Sequence, residues 1–470
     1  MTLPQILGAL FALALVFSVA LLSGRKVKTA DDFLSAGRRA GTATVAGALT
    51  GTMVGGAATV GTAQLAYEYG FSAMWFTLGG MLGLMLMAYL YVIPMRKAGA
   101  DTLPQLARAR FGKGAATVLA VINVLGSFIA IVTQVLSGGA LIAALTGAGG
   151  LTGEMLIAAL MLLYVFFGGA LSAGYVGLLK TVLIGLSLLV CAVLALSRAS
   201  GPGALFSHPE LPAAVFGNLF ARGFLTDAGA GLSTAFGFMA TQATMTAIMS
   251  ARSDAAARRG SAIAALIMPV MGIAGVIIGL YMRSLSAGIP SRLAMPLFIL
   301  NEIPAFPAGI MLASLLVTVV ATGAGLSLGI SSIITGELKP RAQTVSNDRR
   351  KLLFGRCTLA LTLLLSAAAA VFSTGGLILD LSFLSMGLRG AGGIGVLTAA
   401  LFFPERVTGR AALAAILAGF AVMTFSQILF PAVIDSAIPG VAASFIILAV
   451  CARNKNRADT PSLPAAERRF

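Results

Sequence analysis

About thirteen apolar runs, each long enough to cross a bilayer and parted by short polar breaks, constrain this chain more than any motif does. A helix needs about 20 apolar residues to cross the ~30 Å hydrocarbon core, and a chain in lipid must satisfy its backbone hydrogen bonds within each crossing segment. The runs fall near 4–23, 41–69, 71–94, 114–147, 154–173, 176–197, 226–249, 261–283, 305–335, 357–375, 378–403, 411–430 and 434–452. Only 10% of the residues are charged, against about 25% in soluble domains. The expected class is therefore an all-α integral membrane protein. The first run lacks a basic leader and exceeds the apolar core of a secretory signal, so it reads as a retained helix.

The net charge of +16 does not mark a nucleic-acid binder, because the basic residues sit in short loops between spans and not on one polar face. With the N-terminus outside, 27 of the 32 basic residues fall in cytoplasmic segments. These are Arg25, Lys26, Lys28, Arg38 and Arg39, the group Arg96 to Lys113, Lys180, the group Arg252 to Arg259, the run Lys339 to Arg356, Arg406 and Arg410, and the tail from Arg453. Arg198, Arg222, Arg283, Arg292 and Arg389 fall outside or within a span. That asymmetry is the positive-inside signature. It predicts a bacterial inner-membrane protein with a cytoplasmic C-terminus, the 336–356 loop inside and 198–225 outside.

No stretch of chemistry-bearing residues suggests an enzyme. Cys191, Cys357 and Cys451 lie in or at the edge of spans and read as packing residues, and His208 is a lone loop histidine. No hydrophilic stretch is long enough for a soluble domain, so residues 1–455 read as one transmembrane domain and 456–470 as a short tail. The second and seventh spans are rich in glycine: Gly47, Gly51, Gly55, Gly56 and Gly61 in one, and Gly229, Gly231 and Gly237 in the other. Interrupted helices at corresponding places in two halves point to an inverted-repeat transporter with its site at the midplane. Glycine also serves close helix packing, as expected of Gly79 and Gly83.

Several short segments resemble the solute:sodium symporters. They are Thr29 to Arg38, Gly61 to Gly70, Asp101-Thr-Leu-Pro104, Arg110-Phe-Gly112, Gly168-Gly169 before Tyr175, Ala255 to Gly260, and Ser331-Ser332 before Glu337-Leu338. The resemblance implies a LeuT-like core of two inverted five-helix repeats, about 41–197 and 226–403, with one extra helix before it and two after. It also implies a sodium ion held by carbonyls of Gly51, Val54 and Thr318 and by hydroxyls at positions 321 and 322. Here those positions are Ala321 and Thr322, so one hydroxyl remains. The family commonly shows a Tyr-Thr-Asp triplet, with Gln three residues after the Asp, where this chain has Tyr175, Val176, Gly177 and Lys180.

An ammonium at Lys180 is a physically sensible replacement for sodium, since both are compact monovalent cations seeking oxygen ligands. The competing reading is a lysine that snorkels to the cytoplasmic headgroups. Thr322 either contributes to the ion site or bonds back to its own helix. Arg389, near the middle of its span, costs at least ~2.5–3.5 kcal/mol to insert and calls for a partner or a water-filled path. Asp227 and Glu154 are candidate partners; a substrate carboxylate is the functional alternative.

These residues lead to secondary transport of a small organic anion or amino-acid-like zwitterion by alternating access. Arg389 and the backbone amides at Met53, Gly55 and Gly56 are the expected substrate contacts. Sodium coupling, proton coupling and ion-independent transport with Lys180 in place of the ion stay open, as does a transporter-like membrane sensor. The expected partners are the substrate and the bilayer, with a homo-oligomer left open and no nucleic acid. No cofactor or metal is expected beyond a coupling sodium ion.

Overall fold

The computed structural model describes residues 2–24, 38–147, 151–168, 173–334, 348–373, 376–430 and 434–452. The motif residues 29–37, Gly169, Glu337 and Leu338, most of the 336–356 loop and the tail 456–470 lie outside the described residues. Among those described, the chain is helical, with one isolated backbone bridge between Ala40 and Ala251.

The helices form thirteen passes in chain order. Pass 1 is Leu3–Gly24. Pass 2 is broken into Thr42–Met53 and Thr62–Tyr69, joined through a π-helical turn at Ala57–Gly61. Pass 3 runs from Trp75 to Ala98 around a second π turn, Met87–Tyr91. Passes 4, 5 and 6 are Lys113–Thr146, Leu151–Gly168 and Ala173–Arg198. Pass 7 is broken into Phe224–Met239 and Gln242–Met249. Passes 8 to 13 are Asp254–Leu285, Ala305–Ile333, Asp348–Phe372, Ile378–Phe402, Gly409–Leu429 and Ala437–Val450. Eight helical stretches are long and apolar enough to cross a membrane whole, and three shorter apolar helices belong to passes 1, 5 and 13.

Passes 2–6 and 7–11 each begin with a broken helix, as the inverted-repeat reading requires. The two breaks have different causes. In pass 2 the last regular bond runs from the Val54 N–H to the Thr50 carbonyl at 2.7 Å, and Gly55 then turns back to the Met53 carbonyl at 3.0 Å. A Cβ at Gly55 or Gly56 would collide with Gln134 or Ser137 of pass 4, so glycine there lets the broken segment approach that helix closely. In pass 7 the three glycines do not unwind the helix, contrary to the sequence expectation. They lie inside Phe224–Met239, and the break comes after them, where Thr241 is extended (φ −79°, ψ 133°). Gly231 admits Trp75 and Gly237 admits the Met386 backbone. Removing a Cβ serves close approach as readily as unwinding, and here approach won. Gly79 and Gly83 likewise pack on Gly231 and Ala235 of pass 7.

Two polar faces bound the bundle. On one, Arg96 bonds Asp254 at 2.6 Å and the Ile248 carbonyl at 2.9 Å, and Ala40 bridges to Ser250 and Arg252. On the other, Arg222 pairs with Asp227 and Asp380 at 2.8 Å each, Arg198 with Glu302, and Arg283 with Glu210 at 3.7 Å. Local capping follows the sequence: Thr102 accepts from the Gln105 N–H at 3.2 Å and Pro104 opens the first turn of Leu103–Phe111.

Candidate functional site

The break in pass 2 creates an acceptor. In an unbroken helix the Gly55 N–H would bond the Gly51 carbonyl; it bonds Met53 instead, so the Gly51 oxygen needs another donor. Lys180, from pass 6, supplies it. Its Nζ lies 2.7 Å from the Gly51 carbonyl and 2.6 Å from Thr322 Oγ1 on pass 9. Thr322 in turn donates to the Thr318 carbonyl at 2.9 Å. The hydroxyl thus gives its proton to its own helix and its lone pair to the ammonium.

Close packing makes the reach possible. A Cβ at Gly51 would stand 3.0 Å from the Gly177 Cα, and a Cβ at Gly177 would stand 3.1 Å from the Gly47 carbonyl. Passes 2 and 6 therefore touch backbone to backbone at the position where the family carries an acid. Lys180 is 5% exposed. It is neither a snorkelling residue nor one of the loop cations among which it was counted. Val54 is buried at the break and Ala321 is half-buried; the bonds of Lys180 go to neither. Tyr175 and Val176 belong to the helix of pass 6.

Beside this contact lies a cavity of about 40 Å³. Its walls include Met53, Thr133, Gln134, Thr241, Thr322, Ser382, Ser385 and Arg389, with Phe76 and Phe238 on the apolar side. Met53 and Arg389, two of the substrate contacts expected from sequence, line this cavity. Gly55 and Gly56 do not: their amides turn to the Met53 carbonyl and to Gln134 Oε1, at 3.0 and 2.8 Å, and offer nothing to a substrate here. Gln134, Thr241 and Ser385 went unassigned from sequence. A glutamine inside an apolar run and serines one turn from Arg389 were the available signals.

Arg389 is 1% exposed. Its Nη1 donates to Thr241 Oγ1 at 2.7 Å, its Nη2 to Ser385 Oγ at 2.9 Å and its Nε to the Ser385 carbonyl at 3.1 Å. Neither proposed acid meets it. Asp227 is held by Arg222 and by Ser72 Oγ at 2.7 Å. Glu154 packs on Gly139 of pass 4 whereas Arg389 packs on Gly126, thirteen residues and so about 20 Å away along that helix. Among the described residues no acid lies within ion-pair distance of Lys180 or Arg389. Arg389 therefore lines the cavity and Lys180 meets it through Thr322, with no carboxylate among the described residues paired to either, and the remaining polar walls are hydroxyls and one amide. Cys191 packs in the core, while Cys357 and Cys451 are exposed, so only the first is a buried packing residue.

Comparison with known proteins identifies the architecture. The profile of the Sodium:solute symporter family matches residues 33–419. An uncharacterized symporter of Bacillus subtilis (strain 168), YwcA, is 25% identical over 199 residues, 42% of this chain and 39% of that protein, so the match spans well under half of that relative. Among solved structures, a substrate-bound outward-open Na+-coupled sialic acid symporter has a TM-score of 0.78 at 18% identity, covering 96% of this chain and 97% of that one. The inward-facing conformation of Mhp1 has a TM-score of 0.59 at 14% identity, covering 88% and 90%. At these identities the structural likeness establishes the shared fold alone.

Proposed function

This chain belongs to the sodium:solute symporter family, a family of secondary transporters, and from that membership we propose that it moves a small organic anion by alternating access without binding sodium between passes 2 and 9. One observation carries the reading: the Lys180 ammonium lies on the Gly51 carbonyl and the Thr322 hydroxyl, two of the oxygens that the family resemblance assigns to sodium. A sodium ion added there would compete with the Lys180 amine for the same oxygens and would lack the hydroxyl that Ala321 does not supply. Burying an ion costs several kcal/mol unless oxygen ligands replace its hydration; here the tethered amine already uses them.

The anionic substrate follows from the same electrostatics. Lys180 and Arg389 leave the cavity with uncompensated positive charge, so a carboxylate entering it stabilises both. Thr133, Gln134 and Thr241 are placed to orient such a group, and Phe76 and Phe238 to cover an apolar remainder. The cavity is small for a substrate pocket, which is typically 300–1,000 Å³, and so corresponds to a contracted stage of the cycle. The family and fold are those of transporters and point away from an enzyme.

We place the Arg96 face in the cytoplasm and the N-terminus outside, in the bacterial inner membrane. The basic loops favour this, and the acid partners of Arg198, Arg222 and Arg283 on the other face support it. Uptake and counterflow of carboxylic and amino acids in proteoliposomes, in sodium and in choline at fixed pH, test the reading. Transport of at least one anion at equal rates in both salts is expected. Collapse to background in choline, or transport of neutral solutes only, would refute it.

A further inference from the structure

Lys180 and Arg389 occupy equivalent places in the two repeats. Passes 2 and 7, 4 and 9, and 6 and 11 correspond as first, third and fifth helices of inverted halves. Lys180, on pass 6, bonds the broken pass 2 at Gly51 and reaches pass 9 at Thr322. Arg389, on pass 11, bonds the broken pass 7 at Thr241 and lies against pass 4, where a Cβ on Gly126 would stand 2.7 Å from its Cγ. Each cation also donates to a hydroxyl that bonds onward, Thr322 on the facing pass 9 and Ser385 one turn back on Arg389's own pass 11. Thr322 accepts from Lys180 and donates to the Thr318 carbonyl at 2.9 Å; Ser385 accepts from Arg389 and donates to the Gly126 carbonyl of pass 4 at 2.7 Å. The backbone contacts beneath them repeat too: Gly177 lies against Gly47 and Gly51, and Gly390 lies against Phe236 and Gly237.

We infer that the two cations are paired latches, each holding closed the half-helix that must swing away to open one face. The inference rests on the transport cycle proposed above and adds a role for Arg389 that is independent of substrate. The half of pass 2 that Lys180 holds, Thr42–Met53, begins at the Arg96 face, where Ala40 bridges to Ser250 and Arg252. Arg389 reaches the other half-helix, Phe224–Met239, through Thr241 in the break, whose hydroxyl donates to the Gly237 carbonyl at 2.7 Å, and that half begins at the Arg222 face. Releasing Lys180 frees the first half-helix, and releasing Arg389 frees the second. Both latches are made here, in keeping with a cavity of about 40 Å³ between them. A substrate carboxylate competing with Thr241 for the guanidinium would open the Arg222 face only, whereas one drawing the ammonium off Gly51 would open the other.

The test measures conformation with no substrate present, so its outcome is separable from that of the uptake experiment. Ser382→Cys and Thr244→Cys, which line the cavity toward the Arg222 face and the Arg96 face respectively, report thiol labelling by a membrane-impermeant maleimide. Cys191, Cys357 and Cys451 are replaced by alanine, and vesicles of both orientations are used. Arg389→Met and the milder Thr241→Val should raise labelling of Ser382→Cys from the Arg222 face about tenfold, the usual effect of losing a hydrogen bond to a charged group on a two-state balance. Lys180→Met and the milder Thr322→Val should do the same for Thr244→Cys from the Arg96 face. Each pair should leave the other reporter unchanged in protein that remains monodisperse. If both pairs act on one reporter, if only one pair acts, or if neither does, the paired-latch assignment is wrong.

Discussion

The Lys180 ammonium stands 2.6 Å from Thr322 Oγ1, while that hydroxyl gives its proton to the Thr318 carbonyl at 2.9 Å. A hydroxyl so oriented can only accept from the amine, and the amine can only donate, so passes 6 and 9 are joined by a bond with a fixed direction. With the Gly51 carbonyl completing the contact, one side chain of pass 6 joins passes 2 and 9.

Lys180→Ala should lower uptake at least about tenfold, since hydrogen bonds to a charged group are worth about 1.5–3 kcal/mol each. Millimolar methylammonium, small enough for the vacated space, should restore part of the rate. Uptake assays with the variant reconstituted at matched protein level decide this. An unimpaired Lys180→Ala would show the contact to be dispensable for transport.

Lys180→Ala combined with Ala321→Ser should create a sodium response. The double variant returns a second hydroxyl and removes the competing charge, leaving the Gly51 carbonyl and Thr322 Oγ1 as ready ligands. Uptake should rise with sodium at constant ionic strength, saturably. A rate as flat in sodium as that of the natural chain would show that the amine and the ion occupy different places.

Arg389→Lys should reduce uptake about tenfold or more although charge is kept. An ammonium lacks the planar fork that reaches Thr241 Oγ1, Ser385 Oγ and the Ser385 carbonyl together. Initial rates at equal expression are the measure, and a natural rate would remove Arg389 from the cycle.

Gly237→Ala should destabilise the protein by about 1–3 kcal/mol, the range for overpacking, because the added Cβ would stand 2.6 Å from the Met386 Cα. Gly203→Ala, with nothing within 4 Å, should be neutral. Thermal unfolding in detergent compares them. Equal melting temperatures would mean passes 7 and 11 are less tightly packed than described.

Ser207→Cys should label from outside intact cells with an impermeant maleimide and Ser346→Cys should not. The reverse pattern would invert the orientation and exchange the faces that the two latches control.

The number of passes, their order and the two broken helices were legible from sequence because lipid leaves a chain few options. A long apolar run must become a helix, and basic loops resist translocation. Lys180 and Thr322 were also legible as a pair, through the missing acid at Gly177 and the missing hydroxyl at Ala321. The break in pass 7 was misplaced onto its glycines, since a glycine at a tight helix contact looks the same in sequence as one at an unwound turn. Gly56 meets Ser137 and Gly237 meets Met386 alike, and only the backbone bonding shows that the helix breaks beside the first and runs on through the second.

The sequence by itself determined that Arg389 would lie within a membrane bundle, because it stands near the middle of an apolar run too long to leave lipid, whereas for Lys180 it left a buried ammonium and a snorkelling one as alternatives. Tertiary structure alone decided what they meet. Which face of a helix points inward depends on packing between passes distant in sequence. That packing sent Asp227 to Arg222, kept Glu154 about 20 Å from Arg389 along pass 4, and set each cation on the break of its own repeat.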